Sequence, residues 1–235
     1  AQIGGNSAAE FTRNNIEATK NVIAAAVTNG IVSCVHVSSS VVNSVATDMY
    51  SNSKRAQEKL IIDSKLECVI LRPTLMFGFF DRKHFGWLAR FMRRMPIFPI
   101  PGSGAYTRQP LYALDFCRII LQCLKSDRYN GATFDITGRE RIHYLDIIRK
   151  IKSVTGARAK IVKIPFSLFY ALLAVWGAVD RNPPFTTQQL LALVAEDEFE
   201  VIDWPEIFGV AATPLSEALL ESFSHPVYSG IELEF

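Results

Sequence analysis

Tyr50 and Lys54 stand four residues apart in the stretch Tyr50-Ser-Asn-Ser-Lys54. On a helix that spacing is one turn, so the two side chains share a face. A phenol with an ordinary pKa of about 10 is a poor base at neutral pH, and a neighbouring ammonium favours its phenolate. The pair could therefore move a proton. A packed tyrosine beside a solvated lysine is the bland alternative. With 7 Tyr and 10 Lys in 235 residues, about 0.3 such pairs arise by chance, so the reading depends on context. A run of hydroxyls, Ser38-Ser39-Ser40, lies ten residues upstream of Tyr50.

The surrounding elements supply that context. Residues 8–27 have helical spacing, with Phe11, Ile16, Val22, Ile23 and Val27 near one face and Gly30 as a left-handed cap. "IVSCVHVSSS" is β-branched and almost continuously apolar up to its serines, the pattern of a strand buried on both faces. A polar helix is predicted from about Thr47 to Lys65, carrying Tyr50 and Lys54. "ECVILRP" then reads as a second buried strand, stopped by Pro73. Helix, strand, helix, strand with short connections is the rhythm of a parallel α/β sheet. Ligands of such sheets bind beyond the carboxyl ends of the strands, where the serine run and Arg72-Pro73 both fall.

After Pro73 the rhythm changes. Residues 77–104 are aromatic, basic and rich in Pro and Gly. Helices are expected over "ALDFCRIILQCLKSD", "HYLDIIRKIKSVTG" (ended by Gly156), the apolar stretch 164–179 and "TTQQLLALVAED", with strands at "GATFDIT" and "AKIVKIP". The expected organisation is residues 1–80 as a parallel α/β domain and 81–235 as mostly a smaller mixed lobe, with segments returning to the sheet. No internal repeat is visible.

Phenol, ammonium and serine hydroxyl at one crevice suit hydride transfer at a carbinol carbon. The phenolate takes the hydroxyl proton as the hydride leaves, and the serine holds the substrate oxygen. Here the chain resembles the extended short-chain dehydrogenase/reductases, the NAD-dependent epimerase/dehydratase family. "NIEATKN" is similar to that family's N-V-x-G-T-x-N helix, through Asn15, Thr19 and Asn21, with Ala18 in place of Gly. "VHVSSS" resembles the strand with the catalytic Ser or Thr, and Ser40 fits best. Tyr50 and Lys54 match the acid/base and the lysine that lowers its pKa and holds the nicotinamide ribose. "LRPTLMFG" resembles the segment whose proline, here Pro73, lies against the nicotinamide. "RQPLYALD" resembles a segment whose arginine, here Arg108, contacts a nucleotide-sugar phosphate; a surface arginine is the other reading.

The resemblance implies a Rossmann-like, doubly wound parallel α/β sheet, with residues 1–80 as the second half of its NAD(P)-binding domain, and a dinucleotide, NAD or NADP, held by Tyr50, Lys54, Pro73 and Asn15. The implied substrate is a small molecule, such as a nucleotide sugar, contacted by Ser40 and Arg108; a homodimer is also implied. "AQIGG" is similar to the end of the family's fourth strand, so about 60 to 80 residues in two βαβ units would precede Ala1. No GxGxxG or GxxGxxG occurs, and the chain begins with Ala, which reads as a fragment. The loop from Ser40 to Tyr50 is short and lacks the family's "VYG". The tail, "PIFPIPGSGAYTRQPLYALDFCRII" with the apolar helix and "FTTQQLLALV", is similar to a branch related to an accessory subunit of respiratory complex I. That branch implies a second reading: a redox-silent dinucleotide-binding subunit of a larger or membrane-associated assembly.

Composition bounds the rest. The chain is 49% hydrophobic and 20% charged with a net charge of +2, which fits a folded globular protein and argues against nucleic acid as a partner. Cys34, Cys68, Cys117 and Cys123 form no CxxC and lie among apolar neighbours, so they read as small buried thiols in a reducing, cytoplasmic compartment. His36 reads as packed, and no metal site is visible. No basic region followed by an apolar run opens the chain. The apolar stretch 164–179 is shorter than the roughly 20 residues that cross a bilayer, so a buried or interfacial helix is expected. "RKHFGWLARFMRR" (82–94) reads as a solvated face with Phe85, Leu88 and Met92 inward. A substrate lid whose Arg90, Arg93 or Arg94 meets a diphosphate is one alternative. The other rests this stretch, with 164–179, on an anionic membrane surface as a peripheral contact.

Overall fold

The computed structural model describes residues 7–44, 48–82, 84–180, 185–194 and 199–231. The "AQIGG" segment and the first residue of the predicted helix at 47 lie outside them. In chain order the chain forms α1 (Ala8–Phe11), a π-helical turn (Thr12–Glu17), α2 (Ala18–Thr28), β1 (Ser33–Val37), a 3₁₀ turn (Ser40–Asn43), α3 (Met49–Asp63) and β2 (Glu67–Pro73). Next come β3 (Met76–Phe77), α4 (Phe85–Arg94), β4 (Ile97–Pro101), β5 (Thr107–Arg108), β6 (Leu111–Tyr112) and α5 (Ala113–Lys125). The remainder holds a second 3₁₀ turn (Asp127–Tyr129), β7 (Thr133–Ile136), β8 (Ile142–His143), α6 (Tyr144–Thr155), β9 (Lys160–Ile164), α7 (Phe166–Val179), α8 (Thr187–Val194), α9 (Trp204–Phe208) and α10 (Leu215–Ser224).

The chain divides into two compact units. One comprises residues 1–75, 113–139 and 199–212; the other comprises 76–112, 140–198 and 213–235. The first unit contains a parallel sheet in the order β1-β2-β7, with Cys34 opposite Cys68, Val37 opposite Leu71 and Pro73 opposite Ile136. β2 is the buried strand that its apolar run predicts, with Val69, Ile70 and Leu71 almost wholly covered. β1 departs from expectation. It is an edge of the described sheet, and its ends are exposed, so its apolar run is not buried on both faces.

Gly30, in the left-handed conformation, follows α2 as predicted, and the Ile31 amide bonds back to the Ala26 carbonyl. α3 starts where Asp48 accepts the amides of Tyr50 and Ser51, so this residue fixes the first turn that carries Tyr50. The cysteine reading needs correction. Cys34 and Cys68, paired across β1 and β2, are joined as a disulfide, while Cys117 is exposed and Cys123 buried. Strand register, invisible to residue spacing, brings the two sulfurs together.

In the second unit, β3 pairs with β6 and β4 with β9 in parallel, and β5 pairs with β8 antiparallel. α6 packs against α4 and α10, burying Ile147, Ile148 and Ile151, and Gly156 closes it in the left-handed conformation. α4 turns Phe85, Leu88 and Met92 inward and leaves Arg93 and Arg94 exposed, the solvated-face arrangement. α7 spans the apolar run but buries only Leu173 among its residues.

Candidate active site

β1 delivers the serine run by simple extension. The Ser38 amide donates to the Leu71 carbonyl at 2.8 Å and prolongs the ladder by one step. Ser39 is extended and accepts the Val41 amide, and Ser40 opens the 3₁₀ turn with its side chain buried. That turn is clamped from α3: Arg55 Nε donates to the Val42 carbonyl at 3.1 Å, and its Nη2 reaches the Ser44 carbonyl. Tyr50 and Arg55 share α3, so the helix carrying the phenol also holds the hydroxyl loop in place.

The hydroxyl beside the phenol belongs to Ser39. Burial raises the Tyr50 pKa above its ordinary value; the nearby Ser39 hydroxyl favours the ionised phenol, and the Asp48 carboxylate disfavours it. The family resemblance singled out Ser40 for the substrate oxygen; Ser40 is buried, and it is the Ser39 hydroxyl that acts on the Tyr50 phenol. Lys54 is 2% exposed and donates from Nζ to the Val37 carbonyl, at 3.1 Å, at the carboxyl end of β1. Burial lowers its pKa, and Glu58 opposes that shift. In the free chain burial is the largest influence on the Tyr50 phenol.

Beneath Lys54 lies a charged layer that spacing alone did not reveal. Glu58, one turn beyond Lys54, is buried and takes a two-pronged ion pair from Arg72 of β2, with Nε to Oε1 at 2.9 Å and Nη2 to Oε2 at 2.6 Å. Burial would raise the Glu58 pKa, but the two-pronged bond and charge of Arg72 bring it below the ordinary value. Arg72 also reaches the Asn43 side-chain oxygen at 3.3 Å, and Asn43 donates to Asp135 of β7 at 2.9 Å. His36 of β1 sits in the same layer. Burial first and the Lys54 charge second lower its pKa to about 4, and its buried Nε2 has no hydrogen-bond partner among the described residues. The i, i+4, i+8 series of Tyr50, Lys54 and Glu58 was the available signal for this layer.

Asn15 takes a supporting place. It is fully buried in the π-helical turn, donates to the Ser53 hydroxyl at 2.9 Å, and Ser53 in turn donates to the Tyr50 carbonyl at 2.8 Å. Its own carbonyl accepts from Thr19 and Gln57. Its side chain is thus bonded to the helix that carries Tyr50. Pro73 ends β2, buried and opposite Ile136. Arg108 belongs to the other unit, on β5, where its guanidinium donates to the carbonyls of Thr107 and Leu193 and lies 5.5 Å over the Tyr106 ring. Among the described residues no group of His, Cys, Asp and Glu is arranged to hold a metal.

The model of the NAD dependent epimerase/dehydratase family matches residues 4–136, more than half of the chain. The chain belongs to this family. Among curated proteins it is similar to the mitochondrial NADH dehydrogenase (ubiquinone) 1 alpha subcomplex subunit 9 of Mus musculus, 26% identical over 212 residues, covering 87% of this chain and 55% of that protein. The same subunit of Arabidopsis thaliana is 26% identical over 134 residues, 57% of this chain and 33% of that protein. The family member at hand therefore spans about half the length, or less, of these curated relatives. Its fold is that of the UDP-glucuronic acid 4-epimerase of Bacillus cereus, solved with NAD, with a TM-score of 0.67 at 20% identity over 95% of this chain and 71% of that one. The Rossmann-type parallel α/β architecture read from the sequence is thereby established.

Proposed function

We propose that the protein containing this chain is an NAD(P)-dependent epimerase, dehydratase or reductase acting on a nucleotide sugar or a similar hydroxyl or carbonyl substrate. The observation that carries the proposal is the placing of Tyr50 one turn before the buried Lys54, whose ammonium donates to the Val37 carbonyl at the carboxyl end of β1, with the Ser39 hydroxyl near the phenol. Tyr50 is the acid/base. Its phenol, held neutral by burial, becomes a base only when a further positive charge enters the crevice. Lys54 has three N–H donors, of which the Val37 carbonyl takes one, which leaves donors for ribose hydroxyls. Tyr50, Lys54 and Pro73 would line the nicotinamide end of a bound dinucleotide, which supplies the hydride-accepting ring. Ser39 joins Ser40 as a candidate to orient the substrate oxygen. The family to which the chain belongs, and the NAD-bound epimerase that shares its fold, support this reading.

A second reading is favoured by one observation: the curated relatives named above are subunits of NADH dehydrogenase. On it, the protein binds the dinucleotide and stabilises an assembly without turnover. The two readings separate in one experiment on the full-length protein and its Tyr50→Phe variant. Both are titrated with NAD(H) and NADP(H) and then offered a panel of UDP- and dTDP-sugars. On the enzyme reading, the variant keeps cofactor binding and loses turnover by about 10²- to 10⁴-fold, the usual contribution of a positioned acid/base. Equal cofactor binding with no turnover by either protein supports the subunit reading instead.

A further inference from the structure

We propose that α7, with the basic β4–β9 ladder beside it in sequence and pairing, is a docking surface for an anionic lipid membrane. α7 has fourteen residues and none is charged. Leu168, Leu172, Val175, Trp176 and Val179 recur at i, i+4, i+7, i+8 and i+11, so they share one side of the helix, and each is at least half exposed. A helix that is apolar all round is ordinarily buried in a core or a bilayer. This one covers only Leu173. At 1.5 Å per residue it is about 21 Å long, too short to cross a bilayer, so it would lie in the interface. Among the described residues no helix is long and apolar enough to cross a membrane.

The charge around it selects the occupant. Neither 85–101 nor 157–179 contains an Asp or Glu, whereas the two stretches hold Arg90, Arg93, Arg94, Arg158, Lys160 and Lys163. Strand pairing brings the two stretches together: Lys160 lies opposite Ile97, on the same face as Val162, and Lys163 lies on the other face of the ladder, with Arg93 and Arg94 just before β4. Met95, Ile97 and Val162 are exposed among them. A protein partner would ask for a polar rim around the apolar patch. α7 has no polar face; Asp180, which accepts the Trp176 indole N–H at 3.3 Å, only closes its end. An apolar helix adjoining a purely cationic ladder suits acyl chains below anionic headgroups.

The test uses the full-length protein and does not depend on catalysis. It is sedimented with vesicles of phosphatidylcholine alone and of phosphatidylcholine mixed with phosphatidylglycerol, with oligomeric state followed by analytical ultracentrifugation. The wild type is expected to bind the mixed vesicles more tightly and to release with salt. Lys160→Gln, on the face that also carries Ile97 and Val162, should weaken that binding by about fivefold, the usual worth of one basic side chain at an anionic surface. Leu172→Ser with Val175→Ser should abolish it while circular dichroism stays native. Brominated lipid should quench the wild type more than Trp176→Phe, a reading that stands even if the serine variant misfolds. A wild type that binds neither vesicle overturns the proposal. So does a folded serine variant that binds as well as wild type, or one whose sole defect is loss of a dimer; that last result would assign α7 to a second copy of the chain.

Discussion

At the residue scale the candidate site is governed by desolvation. Tyr50, Lys54 and His36 are all pushed toward their neutral forms by burial, whereas Glu58 and Arg72 hold each other charged and the capping bonds hold Asp48 charged. His36 makes this testable. Its folded pKa, about 4, lies below its ordinary 6.5, so between those values the unfolded chain binds the proton that the folded chain refuses. Stability therefore rises with pH across that window and is lost as pH falls through it, by up to about 3 kcal/mol. Chemical denaturation at pH 7 and pH 4.5 should show this loss, reduced in His36→Leu. An equal acid loss in the variant would assign the effect to other groups, Glu58 first among them.

At the element scale, α3 is the scaffold. Its N-cap Asp48 fixes the turn that holds Tyr50, Arg55 clamps the serine turn, and Ser53 and Gln57 tie it to the buried Asn15. Asp48→Ala should cost about 1 kcal/mol of stability through the lost cap, whereas Asp48→Asn, also a good capping residue, should restore most of it. Thermal melts of the two variants separate capping from charge: if Asn fails to rescue, the carboxylate's charge matters and the cap does not. The π-helical turn at Thr12–Glu17 belongs to the same scale. It carries Asn15, whose carbonyl accepts from both Thr19 and Gln57, and a regular helical reading of residues 8–27 does not contain that wider turn.

At the scale of the whole chain, the sheet is built from segments far apart in sequence. β7 completes the β1-β2 pair from 60 residues beyond β2's last residue, and Trp204 of α9 donates its indole N–H to the Thr137 carbonyl at 2.9 Å. The Cys34–Cys68 link staples two of these strands across a separation of 34 residues. Chain entropy gives such a loop about 4 kcal/mol of stabilisation. Non-reducing peptide mapping should recover the linked pair, and a reductant should lower the melting temperature. Free labelling of both thiols without reductant would instead make them a packed dithiol, with no such dependence.

What the sequence determined by itself is what periodicity and local chemistry encode: the helix–strand alternation, the buried β2, the Gly30 and Gly156 caps, the inward face of α4 and the one-turn spacing of Tyr50 and Lys54. These are short-range properties, set by side-chain period and backbone sterics. The tertiary structure alone decided which serine acts on the phenol, that Glu58 and Arg72 underlie Lys54, that β1 is an edge of the described sheet, that Cys34 meets Cys68 and that α7 is exposed. Each depends on register or on burial by segments distant in the chain. Desolvation, which governs the charges at this site, is a property of that burial and is written in no single stretch of residues.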